Sequence, residues 1–241
     1  MDHDEVLERL EIELRAVSRL VAQASSTPGA WDVALSACPG WAVRDLVGHL
    51  GFVHRWVANA IETGRPDLEP KPLDADEQLS AWFDEGVGLL AGTLRRDPGE
   101  PAWTLAEPRT VGFWRRRQLH ENTVHRWDLA TAIGADATID AEVALDGIDE
   151  VIGTMLPRQV KRERVALPEG AIRLVADPDP HTEDGAPSWL IGTGAPVATG
   201  HAEPVELYLA LWHRLPAGAV ALRWDGDVEA GRAVLALPLA P

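Results

Sequence analysis

The sequence predicts a two-part protein, α plus α+β: an up-and-down four-helix bundle over 1–162, then a small C-terminal α+β domain over 163–241. Three observations lead there. Four long segments before residue 134 carry apolar residues at three- and four-residue steps, the stripe of an amphipathic helix. Pro, Gly or acidic clusters punctuate them at most ends. Beyond about residue 163 the pattern changes to short β-prone runs separated by turn residues.

The first helix is expected over 4–25, with Leu7, Leu10, Leu14, Val17 and Val21 on one side. Pro28, Gly29, Pro39 and Gly40 break the pattern, and a second helix runs from about Val43 to Glu62, closed by Gly64 and Pro66. A loop with Pro66, Pro70 and Pro72 follows. The third helix is expected from Asp74 to Asp76 through Leu79, Trp82, Phe83, Val87, Leu90 and Leu94, ending before Asp97-Pro98-Gly99. The fourth spans about Gly112 to Ile133 and stops at Gly134. A fifth covers roughly Asp140 to Val160, where Pro157 should kink or end it. Strands are expected at Ala171 to Ala176, Ser188 to Ile191, Pro196 to Thr199 and Ala219 to Trp224, with helices over Pro204 to Arg214 and from Asp227.

A chain of 241 residues is long enough to bury a core in each part. Its net charge of −16 repels nucleic acid and anionic membranes at long range, so neither is expected as a partner. No apolar run approaches the roughly 20 residues that span a bilayer. The acidic start Met1-Asp2-His3-Asp4-Glu5 is not a secretory signal. A single cysteine, Cys38, forms no internal disulfide, and a cytoplasmic protein, monomer or weak homodimer, is the expectation. Gly192-Thr193-Gly194 is too short for a phosphate loop.

The run His120-Glu121-Asn122-Thr123-Val124-His125-Arg126-Trp127-Asp128 carries the chemistry. Four-residue spacing puts Glu121 and His125 one turn apart on one helix face, where they form either a two-ligand metal grip or an ordinary solvated pair. His49 follows Leu46 by three residues and precedes Val53 by four, so it faces inward and offers a third ligand. Two His and one carboxylate suit a transition metal such as Zn2+, and three protein ligands leave a fourth position for water or substrate. An echo, Val53-His54-Arg55-Trp56 against Val124-His125-Arg126-Trp127, offers His54 as a competitor. His54 lies five positions beyond His49, about 140° around the helix, so both cannot face one metal.

These segments resemble the mycothiol-dependent maleylpyruvate isomerase family, a branch of the DinB-like helical-bundle metalloenzymes. The matching residues are Cys38-Pro39-Gly40-Trp41, Arg44-Asp45-Leu46 and His49, then Arg116, His120-Glu121 and His125-Arg126-Trp127-Asp128. The likeness extends more loosely over nearly the whole chain. It selects His49, Glu121 and His125 as the metal ligands. It also implies mycothiol as thiol cosubstrate, with a small-molecule electrophile as its partner in reaction.

A free thiol of pKa near 8.5 is mostly protonated at neutral pH, and coordination to zinc makes it a ready nucleophile. For maleylpyruvate the family logic is conjugate addition to the cis double bond, rotation about the resulting single bond, and elimination to the trans isomer. A thiol S-transferase would use the same nucleophile. A metal-dependent hydrolase using water, or a non-catalytic metal-binding protein, are the alternatives.

Asp128, three residues after His125, is expected to orient a ligand imidazole or tie down an arginine, or else to be a plain helix charge; Asp45 has the same two readings. Arg115, Arg116 and Arg117 open the fourth helix, with Arg116 the candidate for cofactor contact and a solvated run as the ordinary alternative. Arg214, in the Leu211-Trp212-His213-Arg214 segment, resembles the family's arginine that contributes to the cleft between domains and is the candidate clamp on cofactor and substrate. Cys38 is read as a buried or loop thiol.

Overall fold

The structure, a computed structural model, describes residues 1–69, 78–167, 169–177, 186–215 and 222–240. The chain divides into two compact units, Met1–Thr138 and Ile139–Pro241. The change from helix to strand falls after Lys161, close to the expected division at 162 and 163, but the compact units part earlier, at Thr138. The fifth helix packs on a helix of the C-terminal segment and so groups with it.

In the first unit, α1 (His3–Ser26) opens with a capping box. Asp2 Oδ1 accepts from the backbone N–H groups of Asp4 and Glu5, and the Asp2 N–H donates to Glu5 Oε2 at 2.8 Å. This reciprocal arrangement satisfies donors that a helix start otherwise leaves bare, and explains the acidic first residues. A one-turn 3₁₀ segment, Ala30–Asp32, leads to α2 (Val43–Thr63), where Asp45 Oδ2 accepts the Ala42 backbone N–H at 2.8 Å. Asp45 is therefore a cap, one of its two expected roles. Gly64 ends α2 with φ 70°, the left-handed geometry that glycine adopts without a Cβ clash.

The described part of α3 is Leu79–Leu94, so the expected start at Asp74 to Asp76 lies outside the described residues. The α2–α3 seam is tight because Gly51 faces the Trp82 indole and Gly86 faces the Arg55 guanidinium. Arg55 lies 4.0 Å above the Trp82 ring and donates to the Gly51 and Trp82 carbonyls.

Helix α4 (Val111–Ile133) is buried on nearly every side although it carries four arginines, two histidines and five other polar or acidic side chains from Arg115 to Asp128. Several of its polar groups are taken up by neighbouring segments. Arg115 donates to the carbonyls of Leu94 and Arg96 at the end of α3 and to that of His3 at the start of α1. Arg126 pairs with Glu13 of α1 and donates to Thr138 O at 2.6 Å. His54 Nε2 donates to Asn122 Oδ1, 2.9 Å away, and its ring packs against Phe83. Buried polar groups of this kind persist only when hydrogen-bonded.

In the second unit, α5 (Ala141–Glu150) runs through a π-helical turn, Val151–Met155, into α6 (Leu156–Lys161). Pro157 thus does not end the helix: the widened turn before it absorbs the missing N–H and the ring. Strands β1 (Ala171–Ala176), β2 (Ser188–Gly192), β3 (Pro196–Ala202) and β4 (Arg223–Gly226) form a sheet in the order β2-β1-β3-β4. The outer pairs are antiparallel; β1 and β3 are parallel. Residues 219–221 of the expected last strand lie outside the described residues.

Helix α7 is Pro204–Leu211 and α8 is Val228–Leu235. The expected α7 ends three residues early because Trp212 caps it and His213 turns into the left-handed region at φ 56°. The His213 N–H then donates to Ala210 O and the Arg214 N–H to Leu209 O, a Schellman closure with His in the place glycine usually takes.

Candidate metal centre

His49 comes from the middle of α2, and Glu121 and His125 come from the middle of α4. Their ligand atoms all lie within 4.8 Å of one another. His49 Nε2 is 3.2 Å from Glu121 Oε1, and His125 Nε2 is 3.5 Å from the same oxygen. A tetrahedral ion with bonds of ~2.0–2.1 Å sets its ligands ~3.3 Å apart, so these side chains already stand at coordinating separations. The donor set, two imidazoles and one carboxylate, suits zinc among the common metals.

The centre is asymmetric. The side chain of His49 is 33% exposed, whereas those of Glu121 and His125 are 14% and 9% exposed. Access is from the His49 side. The Trp41 ring lies beside His49 with centroids 5.2 Å apart, and the His49 and His125 rings meet edge to face at 5.2 Å.

Asp128 holds the other side. Its Oδ2 lies 3.0 Å from His125 Nδ1, which fixes the proton on Nδ1 and leaves Nε2 as a lone-pair donor. The same oxygen accepts from Cys38 Sγ at 3.8 Å. Arg117 Nη2 donates to Glu121 Oε2 at 3.1 Å.

These contacts set the charges. Burial by itself raises the Glu121 carboxyl, but hydrogen bonds to His125 and His49, with the charges of His125 and Arg117, hold it well below the usual carboxylate range. Burial likewise works to lower His125, and its hydrogen bonds to Asp128 and Glu121 and their charges bring it above its ordinary value instead. The raised value favours a proton on His125, whose charge would face the two carboxylates. Metal binding would displace that proton, as it does wherever imidazole ligates.

His54, the competitor from the echo, is fully buried on another side of α2 and away from the cluster. Burial pushes its imidazole down to about 4 despite the bond to Asn122. Arg116 is half-buried, next to Arg115 and Arg117, which are committed to carbonyls and to Glu121. Arg214, in the second unit, donates from Nη1 to Trp212 O at 2.8 Å, with its guanidinium 5.8 Å from the Trp212 ring. Sequence reasoning missed the roles of Arg117 and Trp41. Arg117 stands four residues before Glu121, a spacing that could have revealed it; Trp41 comes from a loop, where spacing predicts no neighbour.

Comparison with known proteins gives concordant results. Residues 10–130 match the model of the mycothiol maleylpyruvate isomerase N-terminal domain. Two uncharacterized proteins, from two strains of Mycobacterium tuberculosis, are each 29% identical over 118 residues, covering 45% of this chain and 58% of theirs. The matched part thus spans little more than half the length of those relatives. The crystal structure of a mycothiol-dependent maleylpyruvate isomerase superposes with a TM-score of 0.66 over 95% of both chains, at 15% identity. A histidine-to-alanine mutant of that isomerase superposes at 0.64 and 14% identity, again over 95% of both chains. These structures share the helical-plus-α+β fold of this chain. With the family model matching half its length and including all three clustered side chains, the chain belongs to the mycothiol maleylpyruvate isomerase family.

Proposed function

We propose that the protein is a zinc-dependent enzyme that uses mycothiol as cosubstrate against a small electrophile, as a cis-trans isomerase of the maleylpyruvate isomerase type or a thiol S-transferase. The observation that carries this reading is the convergence of His49, Glu121 and His125 at coordinating separations, with Asp128 behind His125. A zinc ion held there supplies a Lewis-acidic position that lowers the pKa of a thiol toward neutrality. The remaining work belongs to the chain. Asp128 orients the His125 ring and fixes its tautomer; Arg117 takes up part of the Glu121 charge; Trp41 covers one flank of His49. Arg116 and Arg214 are proposed to contact the cosubstrate, and Arg214 the electrophile too, through the forked donors of guanidinium. We place the enzyme in the cytoplasm as a monomer or weak homodimer. None of its described helices is long and apolar enough to cross a membrane.

The test is metal content and turnover in the same preparations. Wild type is expected to carry one zinc per chain, and His49→Ala, Glu121→Ala and His125→Ala to lose it. Turnover of maleylpyruvate, or conjugation of a general electrophile, is expected only with added mycothiol. Undiminished zinc in all three folded variants would remove the centre, and turnover without thiol would make water the nucleophile.

A further inference from the structure

The two oxygens of Glu121 have divided roles. Oε1 faces both imidazoles, 3.2 Å from His49 Nε2 and 3.5 Å from His125 Nε2. Oε2 accepts from Arg117 Nη2 at 3.1 Å, and the Arg117 side chain is only 2% exposed. Both belong to α4, one turn apart, so the helix itself fixes the contact.

The division matters for coordination. If Glu121 offered both oxygens, the two histidines and a chelating carboxylate would supply four bonds, the full complement of a tetrahedral ion. With one oxygen the protein supplies three. We propose that Arg117 is a positioning residue that keeps Glu121 monodentate, and thereby keeps the fourth position of the centre open for a thiol sulfur. The proposal rests on His49, Glu121 and His125 being the metal ligands.

An ordinary i, i+4 ion pair on a helix surface would leave the ligand geometry untouched and contribute a few tenths of a kcal/mol. Arg117 differs because it is buried and binds the ligand oxygen turned away from the imidazoles. Removing a cation beside a metal centre would be expected to strengthen cation binding on electrostatic grounds, so loss of metal is not the signature. The signature is a change in coordination number.

Cobalt(II) in place of zinc reports this directly, since its visible absorption follows coordination geometry. The full-length chain is loaded with cobalt(II) and titrated with N-acetylcysteine as the thiol probe. Wild type is expected to show intense four-coordinate bands and a sulfur-to-cobalt charge-transfer band on addition of thiol. Arg117→Met should bind the same one equivalent, lose roughly half or more of the visible intensity as the carboxylate chelates, and need about 10- to 100-fold more thiol.

Arg117→Lys, which retains a cation opposite Oε2, should restore the wild-type spectrum. Arg117→Gln removes the charge but not the polarity of a buried position, and takes the place of Arg117→Met if that variant does not fold. An unchanged spectrum and thiol titration in a folded Met or Gln variant overturns the proposal, as does a Lys variant that behaves like Met. If wild type takes up no cobalt, the ligand assignment itself falls, which is a different result from cobalt uptake that is indifferent to Arg117.

Discussion

Asp128 and Arg117 hold the two α4 side chains of the cluster, one gripping the His125 imidazole and the other the Glu121 carboxylate. Asp128 is buried, and its Oδ2 lies 3.0 Å from His125 Nδ1. Asp128→Asn keeps the shape but removes the charge and allows the amide to present an N–H to Nδ1, which favours the wrong tautomer. Zinc affinity is expected to fall about 10- to 100-fold, measured by competition with a chromophoric chelator, with the circular dichroism unchanged. Wild-type affinity would make Asp128 a helix charge only. Arg214 is the other single residue with a large expected effect. Its Nη1 donates to Trp212 O at 2.8 Å, and its guanidinium is proposed as the clamp on cosubstrate and electrophile. Arg214→Ala and Arg214→Lys are expected to lower kcat/KM by roughly tenfold to more than a hundredfold, equivalent to ~1.5–3 kcal/mol for a charge-assisted contact, with zinc content unchanged. Kinetics equal to wild type in both would confine the substrate's contacts to the helical unit.

Helix α4 is the element on which the site depends, and its sequence disguises that. Apolar stripes identified the faces of α1 and α2 because one side of each meets water and the other a core. A helix buried on all sides has no such contrast, and the arginines of α4 read as a solvated run until the acceptors are seen: carbonyls for Arg115, Glu121 for Arg117, Glu13 for Arg126. The neighbouring α2 is held in register by close packing rather than by charge. A Cβ on Gly51 would fall inside the van der Waals surface of the Trp82 indole. Gly51→Ala is therefore expected to destabilise the protein by about 1–3 kcal/mol through overpacking, despite the gain in helix propensity. Because His49 lies half a turn before Gly51, zinc affinity should fall with it. Thermal unfolding of metal-free and zinc-loaded protein checks both parts; a stability equal to or above wild type would show that Trp82 can move aside.

For the whole molecule, acid sensitivity follows from buried groups and not from the net charge of −16. His54 has its folded pKa pushed down from 6.5 to about 4 by burial. The unfolded chain therefore binds a proton at this residue that the folded chain refuses, and stability falls as pH drops from about 6.5 toward 4. A shift of that size corresponds to ~3 kcal/mol in order of magnitude. Glu121, held well below the carboxylate range, stabilises the metal-free fold above its unfolded value and loses that contribution only at lower pH. His125, raised, works in the opposite sense, stabilising below its ordinary value and losing the effect as pH rises through its folded one. Denaturant midpoints of metal-free protein should fall between pH 6.5 and 4, and less steeply in His54→Gln; equal slopes would assign the loss to other groups.

By itself, the sequence determined the helix and strand order and the pairing of Glu121 with His125, because those follow from periodicity, capping residues and fixed spacing along one chain; the family and the choice of His49 came from the resemblance of its motif residues. The i, i+4 rule placed Glu121 beside His125 before any fold was known, and the angle of five residues separated His49 from His54. Tertiary structure alone decided which oxygen of Glu121 meets the imidazoles, that Trp41 flanks His49, and that α5 groups with the C-terminal segment. Those choices depend on which side chains from distant parts of the chain share a small volume, and local spacing carries no information about that.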